Sequence, residues 1–139
     1  MTLVVDASVA CKWFIAEAQS DVAELLLHDG TALLAPDLIV PEVCNAARQK
    51  LRRNEITADH ARTMVDGLLH IVDEVIPSAG LAARAFEIAC SIGHPAYDCF
   101  YIALAEQCGT RLVTADRRLL VRMSGTHWAG LLVGLGESG

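Results

Sequence analysis

Residues 97–118 read YDCFYIALAEQCGTRLVTADRR, and this stretch decides the fold. Asp98 opens an apolar run of helical length that stops at Gly109, and Arg111–Thr114 then reads as a short buried strand. A second carboxylate, Asp116, lies just past that strand. In an α/β layer a helix runs antiparallel to the strands it joins, so it starts at the edge where parallel strands end. Asp98 and Asp116 are therefore expected on one edge, outside the carboxyl ends of the strands, where open α/β sheets bind their ligands.

Working outward, the rest of the chain repeats this grammar. Leu3–Val5 is a strand ending at Asp6, with Ser8 two residues on, and Ala7–Ala16 reads as a helix with Val9, Trp13 and Phe14 on its apolar side. Ser20–His28 is a second helix, stopped by Asp29-Gly30, and Thr31–Ala35 is the next strand. Pro36 and Pro41 flank a bend. Pro41 suits the first position of a helix, PEVCNAARQKLRRN, which carries Glu42 second and Asn45 one turn on. Thr57–His70 reads as a helix, Ile71–Pro77 as an edge strand interrupted by Asp73 and Glu74, and Ser78–Ser91 as another helix. After Asp116 come a basic helix, Arg117–Met123, and a last strand within Thr126–Leu135. The expected architecture is α/β, three layers with a central, mostly parallel sheet of about five strands. Residues 1–139 are expected to form one domain with a loose tail over 136–139.

Asp6 and Asp116 follow strands; Glu42 and Asp98 start helices. All four belong to one rim by element order alone. Each acid also has a plainer reading as a helix cap or a dipole partner, worth about 0.3–1 kcal/mol apiece. Convergence is what separates the readings, because two ionised carboxylates about 4 Å apart repel by ~4 kcal/mol at an effective dielectric near 20. A dipole does not offset that. Either some of the acids are protonated or a cation neutralises them. Oxygen ligands of this type suit Mg²⁺ or Mn²⁺, which support phosphodiester hydrolysis by activated water.

Composition narrows the field. Hydrophobic residues make up 53% of the chain and charged ones 20%, which marks a globular chain. A formal net charge of -6 disfavours a nonspecific coating of nucleic acid but leaves an acid-lined enzyme open. The five cysteines form an odd set without a C-x-x-C pair, mostly in apolar helical settings, which favours a reducing cytoplasm and a core role. Cys90 and His94 lack a second pair of zinc-finger spacing, and the histidines show no catalytic spacing, so both are read as core or surface. Neither a leader nor a membrane span is expected.

The segments VVDASV, PEVCNAAR and YDCFYIALAEQCGTRLVTADRRL together resemble PIN-domain ribonucleases, in particular VapC-type toxins of toxin–antitoxin pairs, over nearly the whole chain. The resemblance implies that Asp6, Glu42, Asp98 and Asp116 are the acidic quartet, supported through hydrogen bonds by Ser8, Asn45 and Thr114. It implies Mg²⁺ or Mn²⁺ as cofactor, RNA as substrate, a homodimer, and a cognate antitoxin protein as partner. Some relatives carry a further acid after the position of Asp116; here Arg117, Arg118, Leu119 and Leu120 follow. One firmly held ion is thus expected, with Asp6 and Asp98 as direct ligands and Glu42 and Asp116 acting directly or through water. Arg117 and Arg118 are candidates for steadying phosphates, in competition with a plain solvated helix face. Two rivals stand beside the toxin reading: the same domain used in RNA maturation or DNA cleavage, and a non-catalytic binding module whose acids are only caps.

Overall fold

The computed structural model describes residues 1–137. Five strands, β1 (Thr2–Val5), β2 (Ala32–Pro36), β3 (Glu74–Ile76), β4 (Leu112–Thr114) and β5 (Leu132–Gly134), form one sheet in the order β3-β2-β1-β4-β5. Every pairing is parallel, with Leu3 beside Leu33 and Val5 beside Val113. The chain steps outward from β1 to β3 and then returns to the other side of β1 with β4. The order therefore reverses between β1 and β4, and the crevice at their carboxyl ends is the switch point of the sheet.

Side chains of a strand point alternately to opposite faces, and the two cores follow from this. Val4, Leu34 and Leu112 face the larger core, shared with α3 (Ile39–Arg52), α4 (Ala58–Ile71), α5 (Ala82–Ile92), α6 (Ala96–Cys108) and α7 (Arg117–Met123). Val5, Leu33 and Val113 face a smaller core with Val9 of α1 (Ala7–Ala10) and Ala23 of α2 (Ser20–Leu25). Helix α6 is the enclosed one: Cys99, Tyr101, Ile102, Ala103, Leu104 and Ala105 are all buried, against α5 and strands β1, β2 and β4. Its all-round apolar sequence has this physical meaning, since such a helix needs neighbours on every side.

Several boundaries differ from expectation. The first helix ends at Ala10 and tightens into a 3-10 turn over Cys11–Trp13, from which the Trp13 indole N–H reaches the Ala23 carbonyl at 3.0 Å. Helix α3 begins at Ile39, so Pro41 is its third residue and Glu42 its fourth. A proline is tolerated there because the first four N–H groups of a helix have no intrahelical partner, and buried Ile39 joins the core by starting early. Helix α6 likewise begins two residues before Asp98. The edge strand is confined to Glu74–Ile76, since α4 runs on to Ile71; the Asp73 carboxylate instead accepts the Leu33 N–H at 2.7 Å. Cys90, expected in the core, is exposed on the outer side of α5, away from buried Ala85, Ile88 and Ala89. Gly136 and Glu137 fold back on β5, with Glu137 N–H bonded to the Gly134 carbonyl at 2.9 Å, while the rest of the expected tail lies outside the described residues.

Candidate functional site

Asp6 is the first residue beyond β1 and the N-cap of α1. Its Oδ1 accepts the Ser8 hydroxyl at 2.5 Å and the Val9 N–H at 3.2 Å, and its Oδ2 accepts the Thr114 hydroxyl. Ser8 Oγ in turn accepts the Ala115 N–H at 2.9 Å, and Thr114 Oγ1 accepts the Asp116 N–H at 3.1 Å. The two hydroxyls thereby stitch the end of β1 to the end of β4 across the switch point. Asp6 is only 7% exposed, and burial pushes its carboxyl up to about 6 against the pull of these hydrogen bonds, with the Asp98 charge adding to the rise.

Glu42 and Asp98 are not caps: neither α3 nor α6 has a side-chain cap hydrogen bond. Glu42 Oε1 accepts the Tyr101 hydroxyl at 2.5 Å. Burial raises the Glu42 pKa, the Tyr101 bond opposes the rise, and the charges of Asp98 and Asp6 increase it. Tyr101 is 1% exposed; burial and the Glu42 carboxylate hold its phenol far above the usual range, so it remains a proton donor. Asp98 Oδ2 meets His94 Nε2 at 2.8 Å. Sequence reasoning missed both Tyr101 and His94. Helical spacing of four residues was a signal for the second pair, masked by the intervening Pro95, whereas Tyr101 and Glu42 are 59 residues apart with no local signal.

Asp6, Glu42 and Asp98 thus influence one another, and no Lys or Arg pairs with any of them among the described residues. Asp116 stands apart on the same rim. It caps α7, its Oδ1 accepting the N–H groups of Arg118 at 3.0 Å and Leu119 at 3.2 Å, so the plainer reading as a cap holds for it as well. Asn45 is exposed on α3 and makes no side-chain hydrogen bond to the acids among the described residues. Arg117 and Arg118 extend into solvent from the first turn of α7, Arg117 reaching Glu137 at 3.4 Å. Burial, with the Asp98 charge, pushes the Cys99 thiol up to about 11, which leaves it protonated and poorly nucleophilic.

The donor set fits an open divalent site. Among the described residues no group of three or more His, Cys, Asp or Glu side chains is placed to hold a metal ion by itself. Mg²⁺ does not require one, since it takes one or two carboxylates and keeps several waters. The mutual repulsion of three acids, two of them raised by burial and neighbouring charge, is the deficit a cation makes good.

Residues 3–125 match the family described as PIN domain. The chain belongs to the PIN domain family. Among similar proteins, ribonuclease VapC3 of Pyrobaculum aerophilum is 35% identical over 121 residues, covering 86% of this chain and 92% of that protein. Ribonuclease VapC9 of Mycobacterium tuberculosis is 32% identical over 119 residues, 84% of this chain and 87% of its own. The crystal structure of PAE2754 from Pyrobaculum aerophilum superposes with a TM-score of 0.63 at 25% identity, over 91% of this chain and 82% of that one. VapBC2 from Rickettsia felis, bound to a promoter DNA fragment, shares the fold at a TM-score of 0.67 and 12% identity, over 96% and 98% of the two chains. The expected three-layer PIN architecture with its parallel sheet is the one observed.

The Tyr101–Glu42 bond of this PIN domain yields a direct test. In Tyr101→Phe the ionised form of Glu42 loses a donor, so its pKa climbs further. Hydrogen bonds to charged groups contribute about 1.5–3 kcal/mol, and losing one disfavours the ionised form. A carboxyl NMR titration of the metal-free variant is expected to show this rise; an unmoved Glu42 titration removes the assigned role of Tyr101.

Proposed function

We propose that this PIN domain is a metal-dependent endoribonuclease that acts as the toxin of a toxin–antitoxin pair. Supporting the reading is one observation above the others: the carboxylates at the end of β1 and on α3 have their proton affinity raised by burial and by the charge of Asp98 on α6, and no Lys or Arg pairs with any of the three among the described residues. The VapC ribonucleases among its relatives, at 30–35% identity, point to RNA rather than DNA. Asp6 and Asp98 would hold a single Mg²⁺ or Mn²⁺ ion, with Glu42 and Asp116 contributing directly or through water. Bound there, the ion would supply a water of lowered pKa and offset charge growing on a phosphoryl oxygen. Ser8 and Thr114 keep Asp6 in one orientation while the metal is absent, and Tyr101 does the same for Glu42. Asn45 supports the site only if α3 turns it inward. Arg117 and Arg118 steady phosphates flanking the scissile bond. The protein works in the cytoplasm as a homodimer, silenced by a cognate antitoxin protein; among the described residues no helix is long and apolar enough to cross a membrane.

Labelled RNA and DNA of the same sequence, incubated with Mg²⁺ and with a chelator, test this reading. RNA is expected to be cut with Mg²⁺ only, and Asp98→Asn to lose the activity. Cleavage that survives chelation, or that is equally strong in Asp98→Asn, removes the reading; cleavage of DNA alone moves the protein to the rival nuclease role.

A further inference from the structure

We propose that His94 is a positioning residue for Asp98: its imidazole N–H holds one oxygen of the Asp98 carboxylate and leaves the other available to a divalent cation. This rests on the reading of the site as a cation-binding centre. The Asp98 carboxylate caps nothing, although it lies in the first turn of α6, and among the described residues its hydrogen bond comes from His94 Nε2 at 2.8 Å. An ionised carboxylate can only accept, so Nε2 carries the proton in this pair. Without such a partner a half-exposed aspartate samples several rotamers, and binding an ion from that ensemble requires freezing one of them.

His94 is itself held. Its side chain is 16% exposed, and it lies in the turn between α5 and α6, where Gly93 takes the left-handed conformation at φ 63° that ends α5. His94 N–H bonds back to the Ala89 carbonyl at 3.2 Å, and Pro95 then restricts the backbone entering α6. From outside, the Arg122 guanidinium of α7 donates to the carbonyl of Ile92 and, at 3.0 Å, to that of Gly93. The turn is thus fastened to the helix that follows Asp116. An imidazole fixed in this way can set the direction of a carboxylate, as outer partners of metal ligands do elsewhere; removing such partners typically weakens metal affinity by about 10–100-fold.

Calorimetric Mn²⁺ titration of the full chain, paired with cleavage measured against Mn²⁺ concentration, tests this in the parent chain, His94→Leu and His94→Gln. In His94→Leu, Mn²⁺ affinity is expected to fall about 10–100-fold, with the maximal cleavage rate recovered at saturating Mn²⁺. His94→Gln, whose amide N–H reaches near the Nε2 position, is expected to regain most of the affinity. Parent-like Mn²⁺ affinity in the Leu variant overturns the proposal, as does an equal loss of affinity in Leu and Gln variants together with equally lowered melting midpoints, the mark of a merely structural histidine. If the parent chain itself binds no Mn²⁺, the cation-centre reading falls, and this inference with it.

Discussion

Asp6→Asn is expected to lose metal-dependent RNA cleavage by at least ~10³-fold and yet to melt higher than the parent chain in metal-free buffer at neutral pH. On the proposed reading the loss follows from removing a charged ligand: a bound ion would supply several kcal/mol of charge stabilisation, and each 1.36 kcal/mol is about tenfold in rate. The gain follows from burial. The fold pushes the Asp6 carboxyl from 3.8 up to about 6, so the folded state binds its proton more tightly than the unfolded chain does. Well below pH ~4 both states are protonated and Asp6 carries no penalty. As pH rises through the interval between 3.8 and about 6, the unfolded chain ionises first and the folded state is progressively disfavoured. Above that interval the penalty is complete, on the order of 3 kcal/mol. Asparagine has no such titration, so the variant is expected to gain about 1–3 kcal/mol at pH ~7, roughly 3–9 °C in melting temperature, and no more than about 0.5 kcal/mol at pH ~4. Added Mg²⁺ is expected to raise the midpoint of the parent chain and to leave that of the variant unmoved. Melting curves at both pH values check this, and a gain that is the same at each removes the burial explanation.

Ile102→Ala carries the largest expected stability loss. Ile102 is fully buried in α6, the helix enclosed by α5 and three strands. Truncating a buried isoleucine to alanine costs about 2–5 kcal/mol, because the surroundings close only partly over the cavity. A drop of roughly 6–15 °C in melting temperature is expected, with the urea midpoint falling and its slope unchanged. Since α6 also presents Asp98 and Tyr101, cleavage should weaken well below the melting range. Loss of less than about 1 kcal/mol would mean that the core around α6 repacks freely, contrary to its close packing.

The acids reached their rim in the sequence by element order alone, and β1, β4 and α7 fell where hydropathy and β-branching put them. The misplacements were local and systematic. Helices α3 and α6 start earlier than their first acid because buried Ile39 and half-buried Ala96 add contacts that capping rules do not count. Cys90 was read inward from an apolar neighbourhood, but only helix phase relative to Ala85, Ile88 and Ala89 decides which side it takes. Asn45 shares that lesson: one turn from Glu42 is near along the helix, but its side chain is exposed.

What the sequence by itself determined is the strand and helix order and the mostly parallel direction, because these depend on residues within a few positions of one another and on which segments are apolar; which of the four acids act as caps, Asp6 and Asp116 but not Glu42 and Asp98, it left open. The tertiary structure alone decided which carboxylates feel each other and which are steadied by a neighbour. Glu42 meets Tyr101, Asp6 meets Thr114, and Asp98 raises both acids. Proton affinity is set through space, by burial and by charge at short range, and neither quantity is carried by spacing along the chain.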